Sequence, residues 1–204
     1  MFAILFMGFP GIGKTTIGQK LLETIPNSIL IEQDDFYKAN KADNEGYLNE
    51  IQKTLATNKT TLILSKNHHT YDSVNEVVCL LQKYNTAYLI VNFIPELLES
   101  NLQLEEQFIE NLLDRIEPRK TYSHLMIDEK HSRKRARAIL THGFLKPYKE
   151  SFERVEKDFG KFMQKLDYMN DLDTNVELIL AFSKKATQNS LKENKKKCKK
   201  RKLE

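Results

Sequence analysis

Cysteine is nearly absent: Cys79 and Cys198 are the only two in 204 residues, and they stand far apart. A disulfide framework needs several cysteines at regular spacing, so this pair reads as a core thiol and a tail thiol. An intracellular, reducing compartment is the expectation. Long apolar runs are missing too. None approaches the roughly 20 residues of a membrane span, so no membrane segment is expected. The first apolar run, Phe2 to Met7, is too short for a signal-peptide core. There is no internal repeat. His68 and His69 are adjacent, but no cysteine partner and no H-E-x-x-H spacing accompanies them, which argues against a histidine-held metal.

Charge is present in quantity but unevenly. The formal net charge is +4. From Lys184 onward there are ten Lys/Arg against two Asp/Glu, so that segment carries +8 and the rest of the chain about −4. The run Lys195 to Lys202 reads as a solvated, disordered tail. Nonspecific nucleic-acid binding, a nuclear import signal and a solubilising role all fit it. Localisation, nuclear or cytoplasmic, stays open with it. The remaining 183 residues suffice for one globular domain with a sizeable core.

The most informative segment is Gly8-Phe9-Pro10-Gly11-Ile12-Gly13-Lys14-Thr15, which fits G-x-x-x-x-G-K-[ST]. It follows the apolar run and opens a helical pattern from Lys14 to Glu23. Glycines let the backbone turn its N–H groups inward as an anion nest, and the helix N-terminus adds a positive dipole end. Lys14 is expected on the β- and γ-phosphates of a nucleoside triphosphate, and the Thr15 hydroxyl on Mg²⁺. Gly8, Pro10, Gly11, Ile12, Gly13 and Thr16 complete the expected phosphate cradle.

Strand and helix patterns alternate along the chain. Strands are predicted at 2–7, 28–33, 60–64, 87–93 and 176–182. Helices are predicted near 46–56, 71–84 and 97–115, and an amphipathic helix carries Phe152, Val155, Phe159, Phe162 and Leu166. Near-continuous apolar strands imply burial on both faces. The expected fold is therefore α/β: a three-layer α/β/α P-loop NTPase with a mainly parallel five-stranded sheet. Ligands in such sheets bind at the carboxyl ends of the strands. Asp34-Asp35 and Ser65-Lys66-Asn67-His68-His69 are then predicted to converge on the phosphate loop. A carboxylate at Asp34 is placed to accept the proton of an incoming hydroxyl, with capping as the plainer role for one of the two aspartates. Arg115 and Arg119, at i and i+4, share a face if the helix persists and could cover the phosphates. The basic stretch beyond them reads as a helical lid, an acceptor surface or simply a solvated face.

Together these segments resemble the kinase domain of fungal-type tRNA ligases and, more distantly, bacteriophage polynucleotide kinase. Glu32-Gln33-Asp34-Asp35-Phe36 is similar to the family segment whose first aspartate is the general base. Ser65-Lys66-Asn67-His68-His69 is similar to the fungal D-R-N-N-H. Asn67 and His69 match it, whereas Ser65, Lys66 and His68 do not. Arg115 and Arg119 have the spacing of the phage-type lid arginines, and Gly143-Phe144 is a weaker echo. The resemblance covers most of residues 1–183 and leaves 184–204 as a tail. It implies a Mg²⁺-dependent polynucleotide 5′-hydroxyl kinase using ATP or GTP, with Asn67 and His69 on an RNA or DNA acceptor. It also implies ligase and phosphodiesterase proteins as separate partners. A kinase of a nucleoside or other small metabolite, and a noncatalytic nucleotide-binding scaffold, are the two alternatives.

Overall fold

The computed structural model describes residues 1–38, 41–57, 61–95, 102–118 and 133–200, with backbone only at 37–38, 41–42 and 188–200. Its centre is strand β1 (Phe2–Met7), every residue of which is buried. Around it stand β2 (Ser28–Glu32), β5 (Thr61–Ser65), β6 (Ala87–Asn92) and β7 (Met163–Lys165), in the order β2-β5-β1-β6-β7. Every neighbouring pair in this sheet is parallel. Between β2 and β5 the chain forms a small antiparallel pair, β3 (Tyr37–Lys38) and β4 (Lys41–Ala42).

Helices cover both faces. The first crossover, α1 (Lys14–Thr24), runs outward from β1 to β2 and packs with α7 (Leu172–Lys200). The return crossover, α2 (Asn44–Ala56), lies on the opposite face, because right-handed connections in opposite directions use opposite faces. There it packs against α3 (Tyr71–Lys83), which in turn meets α6 (Lys146–Phe159). Helix α4 (Leu102–Ile116) follows β6, and α5 (Arg133–Ala138) leads through a wide π-helical turn, Ile139–Leu145, into α6. Pro147 has no N–H to give the Gly143 carbonyl, and the helix relaxes there to pairing over five residues, Lys146 N–H to Thr141.

Local sequence explains the helix starts. The Asp43 carboxylate accepts from Gly46 N–H at 3.0 Å, and Thr70 with Ser73 forms a reciprocal capping box ahead of α3. Val74, Val77, Val78 and Leu81 then form the buried stripe of α3. Cys79 falls between those positions and is exposed, so it is not the core thiol that its apolar neighbours suggest.

Two element assignments from sequence need correction. Residues 176–182 are helix, the middle of α7, and the fifth strand is Met163–Lys165 instead. Continuous apolar runs do not separate a buried strand from a helix, and a three-residue strand has too few positions to show alternation. Asp171 is the missed signal. It caps α7, accepting from the Thr174 N–H at 2.8 Å and the Thr174 hydroxyl at 2.6 Å. Leu166, assigned to the preceding helix, follows β7 instead. The helix α7 is continuous across 183–184, where the basic tail was expected to begin. No helix among the described residues is long and apolar enough to cross a membrane.

Candidate active site

A cleft opens at the carboxyl end of the sheet, beside β1, where successive crossovers leave in opposite directions. Its walls come from three segments: Pro10, Gly11, Gly13, Lys14 and Thr15; Glu32, Gln33 and Asp34; and Ser65, Lys66 and Asn67. These are the loop after β1 and the ends of β2 and β5, the three segments expected to converge.

The loop requires its glycines. Gly11 and Gly13 have φ of 83° and 102°, in the region that L side chains avoid. A Cβ on Gly11 would also stand 2.9 Å from Ile116 and 3.1 Å from the Leu112 carbonyl, so the loop is seated directly on α4. Ile12 is buried in the core, and Thr16 is exposed and outside the cleft lining.

Lys14 is only 8% exposed, and an ammonium buried to that extent needs acceptors. It donates to the Phe9 carbonyl at 2.8 Å, the Gly8 carbonyl at 3.4 Å and the Asn67 side-chain oxygen at 2.6 Å. Asn67 thus touches the loop lysine directly. Asp34 and Asp35 share a 3-10 turn (Gln33–Asp35) at the end of β2, but only Asp34 lines the cleft. Among the described residues the carboxylates of Glu32 and Asp34 take no hydrogen bond or ion pair. Both amide atoms of the buried Gln33 are likewise without a partner.

His69 is turned to structure. One ring nitrogen pairs with the Asn67 carbonyl at 2.6 Å, and the ring is also hydrogen-bonded to the Gly143 backbone. It packs against Phe144 at 4.6 Å with the rings tilted and meets Phe9 edge-on at 6.2 Å, outside the cleft lining. The Gly143-Phe144 pair therefore meets the strand-end segment through His69. Its neighbour His68 is fully buried, with Nδ1 donating to the Ser73 carbonyl at 2.9 Å and Nε2 unpartnered. Burial, reinforced by Lys66 and Lys14, holds His68 well below the ordinary imidazole range, and burial lowers His69 as well. Lys66 bonds to Asn44 and lies 5.3 Å above the Tyr47 ring. Burial lowers its pKa, opposed by Glu76.

Arg115 is not brought to the cleft. It sits over the Tyr168 ring at 5.2 Å and donates to the Tyr168 carbonyl at 3.4 Å. Helix α4 ends at Ile116, and Arg119 lies outside the described residues. The residues that sequence reasoning passed over are Glu32 and Gln33; Lys66 was expected at the cleft only as a member of its segment, with no role of its own. Only strand register, which a single sequence does not display, brings the first two beside the end of β5.

The donors facing the cleft near the loop are all oxygens: Thr15, Glu32, Asp34 and Ser65. That set suits a hard divalent cation, and no cluster of three or more His, Cys, Asp or Glu fit to hold a metal by itself occurs among the described residues. A parallel sheet carrying a glycine-rich, lysine-bearing loop against a helix N-terminus defines a P-loop nucleotide-binding protein. More particularly, the chain belongs to the tRNA ligase kinase domain family, whose profile matches residues 4–179. It is a kinase, with a nucleotide phosphate donor and a polynucleotide 5′-kinase function. A crystal structure of a fungal RNA kinase is similar at 18% identity, TM-score 0.65, over 87% of this chain and 83% of that one. A gluconokinase from Sinorhizobium meliloti 1021 is similar at 13% identity, TM-score 0.54, over 94% and 95% of the two chains. A putative kinase from Chloroflexus aurantiacus J-10-fl is similar at 14% identity, TM-score 0.55, over 90% and 96%. No curated protein matches by sequence.

Proposed function

We propose that this kinase transfers the γ-phosphate of ATP or GTP to a 5′-hydroxyl of RNA, within a catalytic unit spanning residues 1–183. The observation that carries the reading is Asp34: a carboxylate with no partner among the described residues, in the same cleft as the loop lysine. The acceptor oxygen attacks the γ-phosphorus, the bond to the β–γ bridging oxygen breaks, and a nucleoside diphosphate leaves. Asp34 orients the 5′-hydroxyl and takes its proton. Lys14 moves from the loop carbonyls onto the β- and γ-phosphates, and the N–H groups of the Gly8–Thr16 loop hold the phosphate oxygens. Thr15 offers its hydroxyl to Mg²⁺, which when bound neutralises charge on the transferring group.

Asn67 is released by Lys14 and faces the acceptor. His69 acts through Asn67, because it holds the backbone of that residue. Arg115 reaches the phosphates only after leaving Tyr168, and Arg119 is proposed as its companion. The basic segment from Lys184 adds nonspecific affinity for nucleic acid. A panel of 5′-hydroxyl RNA, 5′-hydroxyl DNA and nucleosides with labelled ATP and GTP tests the reading. Label on RNA oligonucleotides supports it. Label on nucleosides alone assigns a small-metabolite kinase instead.

A further inference from the structure

In P-loop NTPases the divalent cation is held by the loop Ser/Thr together with a strand-end carboxylate. β5 is one of the two strands beside β1, and Ser65 stands at its end, where the D-R-N-N-H pattern that this segment resembles carries its aspartate. Ser65 is buried and carries only a hydroxyl. One strand further out, Glu32 is the register partner of Ser65. Register partners on neighbouring parallel strands lie about 4.8 Å apart and project to the same face. Both residues line the cleft with Thr15. Glutamate has one more methylene of reach than aspartate, and no described residue claims its carboxylate.

We propose that Glu32 supplies the metal-positioning carboxylate that is missing at Ser65, holding the water shell of the divalent cation from the adjacent strand. The inference rests on the kinase reading of the cleft. It has a distinctive electrostatic signature. A carboxylate beside a triphosphate is repulsive until a cation stands between them. Glu32 therefore weakens metal-free nucleotide binding and strengthens metal-bound binding. A residue with a merely structural role changes both alike.

The test is a binding titration without turnover. A fluorescent, nonhydrolysable nucleotide is bound to the full chain in EDTA and across a range of Mg²⁺ concentrations. In Glu32→Gln, the Mg²⁺ concentration at half-maximal enhancement is expected to rise roughly 10-fold or more, the scale of lost outer-shell support for a metal. Affinity in EDTA is expected to stay level or improve. Ser65→Asp placed in the Glu32→Gln background should bring the Mg²⁺ midpoint back toward wild type. An unchanged midpoint in a folded Glu32→Gln protein overturns the proposal, as does an equal loss of affinity with and without Mg²⁺. The two readings fail separately. A wild-type protein that labels no polynucleotide but shows these Mg²⁺ shifts overturns the RNA acceptor and supports the role of Glu32. RNA labelling with an unmoved midpoint does the reverse.

Discussion

Asp34 and Asp35 differ by one position and by most of their surroundings. Asp34 lines the phosphate cleft and Asp35 does not. Asp34→Asn is expected to lower kcat by roughly 100-fold or more with little change in nucleotide affinity, the scale of a lost general base. Asp35→Asn should leave kcat near wild type. Steady-state rates on a 5′-hydroxyl oligonucleotide decide between them, and loss in Asp35→Asn alone would reassign the base. His68 gives a prediction about stability. Its folded-state pKa is depressed by burial, so below the ordinary imidazole value of about 6.5 the unfolded chain binds a proton that the folded one refuses. Stability is therefore full above that pH and declines as pH falls through it. Denaturant midpoints should drop from pH 7.5 to 5.5, and His68→Asn should narrow the drop. Some of it remains, because His69 is shifted in the same direction. An unchanged gap would show that His68 is not held neutral.

Helices and strands were legible in proportion to how much local chemistry marks them. The loop after β1 carries its own pattern, and so does the stripe of α3. Residues 176–182 carry a continuous apolar run that fits either structure, and the strand that replaces them in the sheet is only Met163–Lys165. Ile179 and Ala181 separate the two cases experimentally. A strand would put both on one face, whereas α7 buries Ile179 and exposes Ala181. Ile179→Ala should cost about 2–5 kcal/mol in chemical denaturation, and Ala181→Ser should fall within about 0.5 kcal/mol of wild type. Equal losses would contradict the helix. The site shows the same division. That Lys14, Thr15, Asp34 and Asn67 share one cleft was readable because motif or strand-end position announces them. Glu32, and the contacts of Lys66 with Asn44 and Tyr47, depend on how β2, β5 and α2 come together, which is a property of long-range pairing. Arg115 is expected over the phosphates by spacing, and in this structure Tyr168, more than fifty residues later, holds it away from the cleft.

Across the whole molecule the charge and the core are separable. Residues 188–204 hold eight Lys/Arg and two Glu, while Ala186, packed against the core, precedes them. Truncation after Thr187 should leave the melting temperature and short-acceptor turnover close to those of the full chain. It should reduce the salt sensitivity of oligonucleotide binding, since a net +6 leaves with the segment. Unchanged salt sensitivity would place the electrostatic contact on the folded body. The hydrogen bond between Lys14 and Asn67 has a kinetic consequence. While it stands, at 2.6 Å, the amide proposed to face the acceptor is already engaged by the group proposed to bind the donor. A triphosphate that captures Lys14 frees Asn67 in the same event. The two substrates should then add in a compulsory sequence, donor first, with the 5′-end waiting its turn. Acceptor affinity should rise severalfold in the presence of a nonhydrolysable donor, and Asn67→Ala should abolish that rise. Random addition, with acceptor bound equally well in the absence of nucleotide, would show that the contact sets no order.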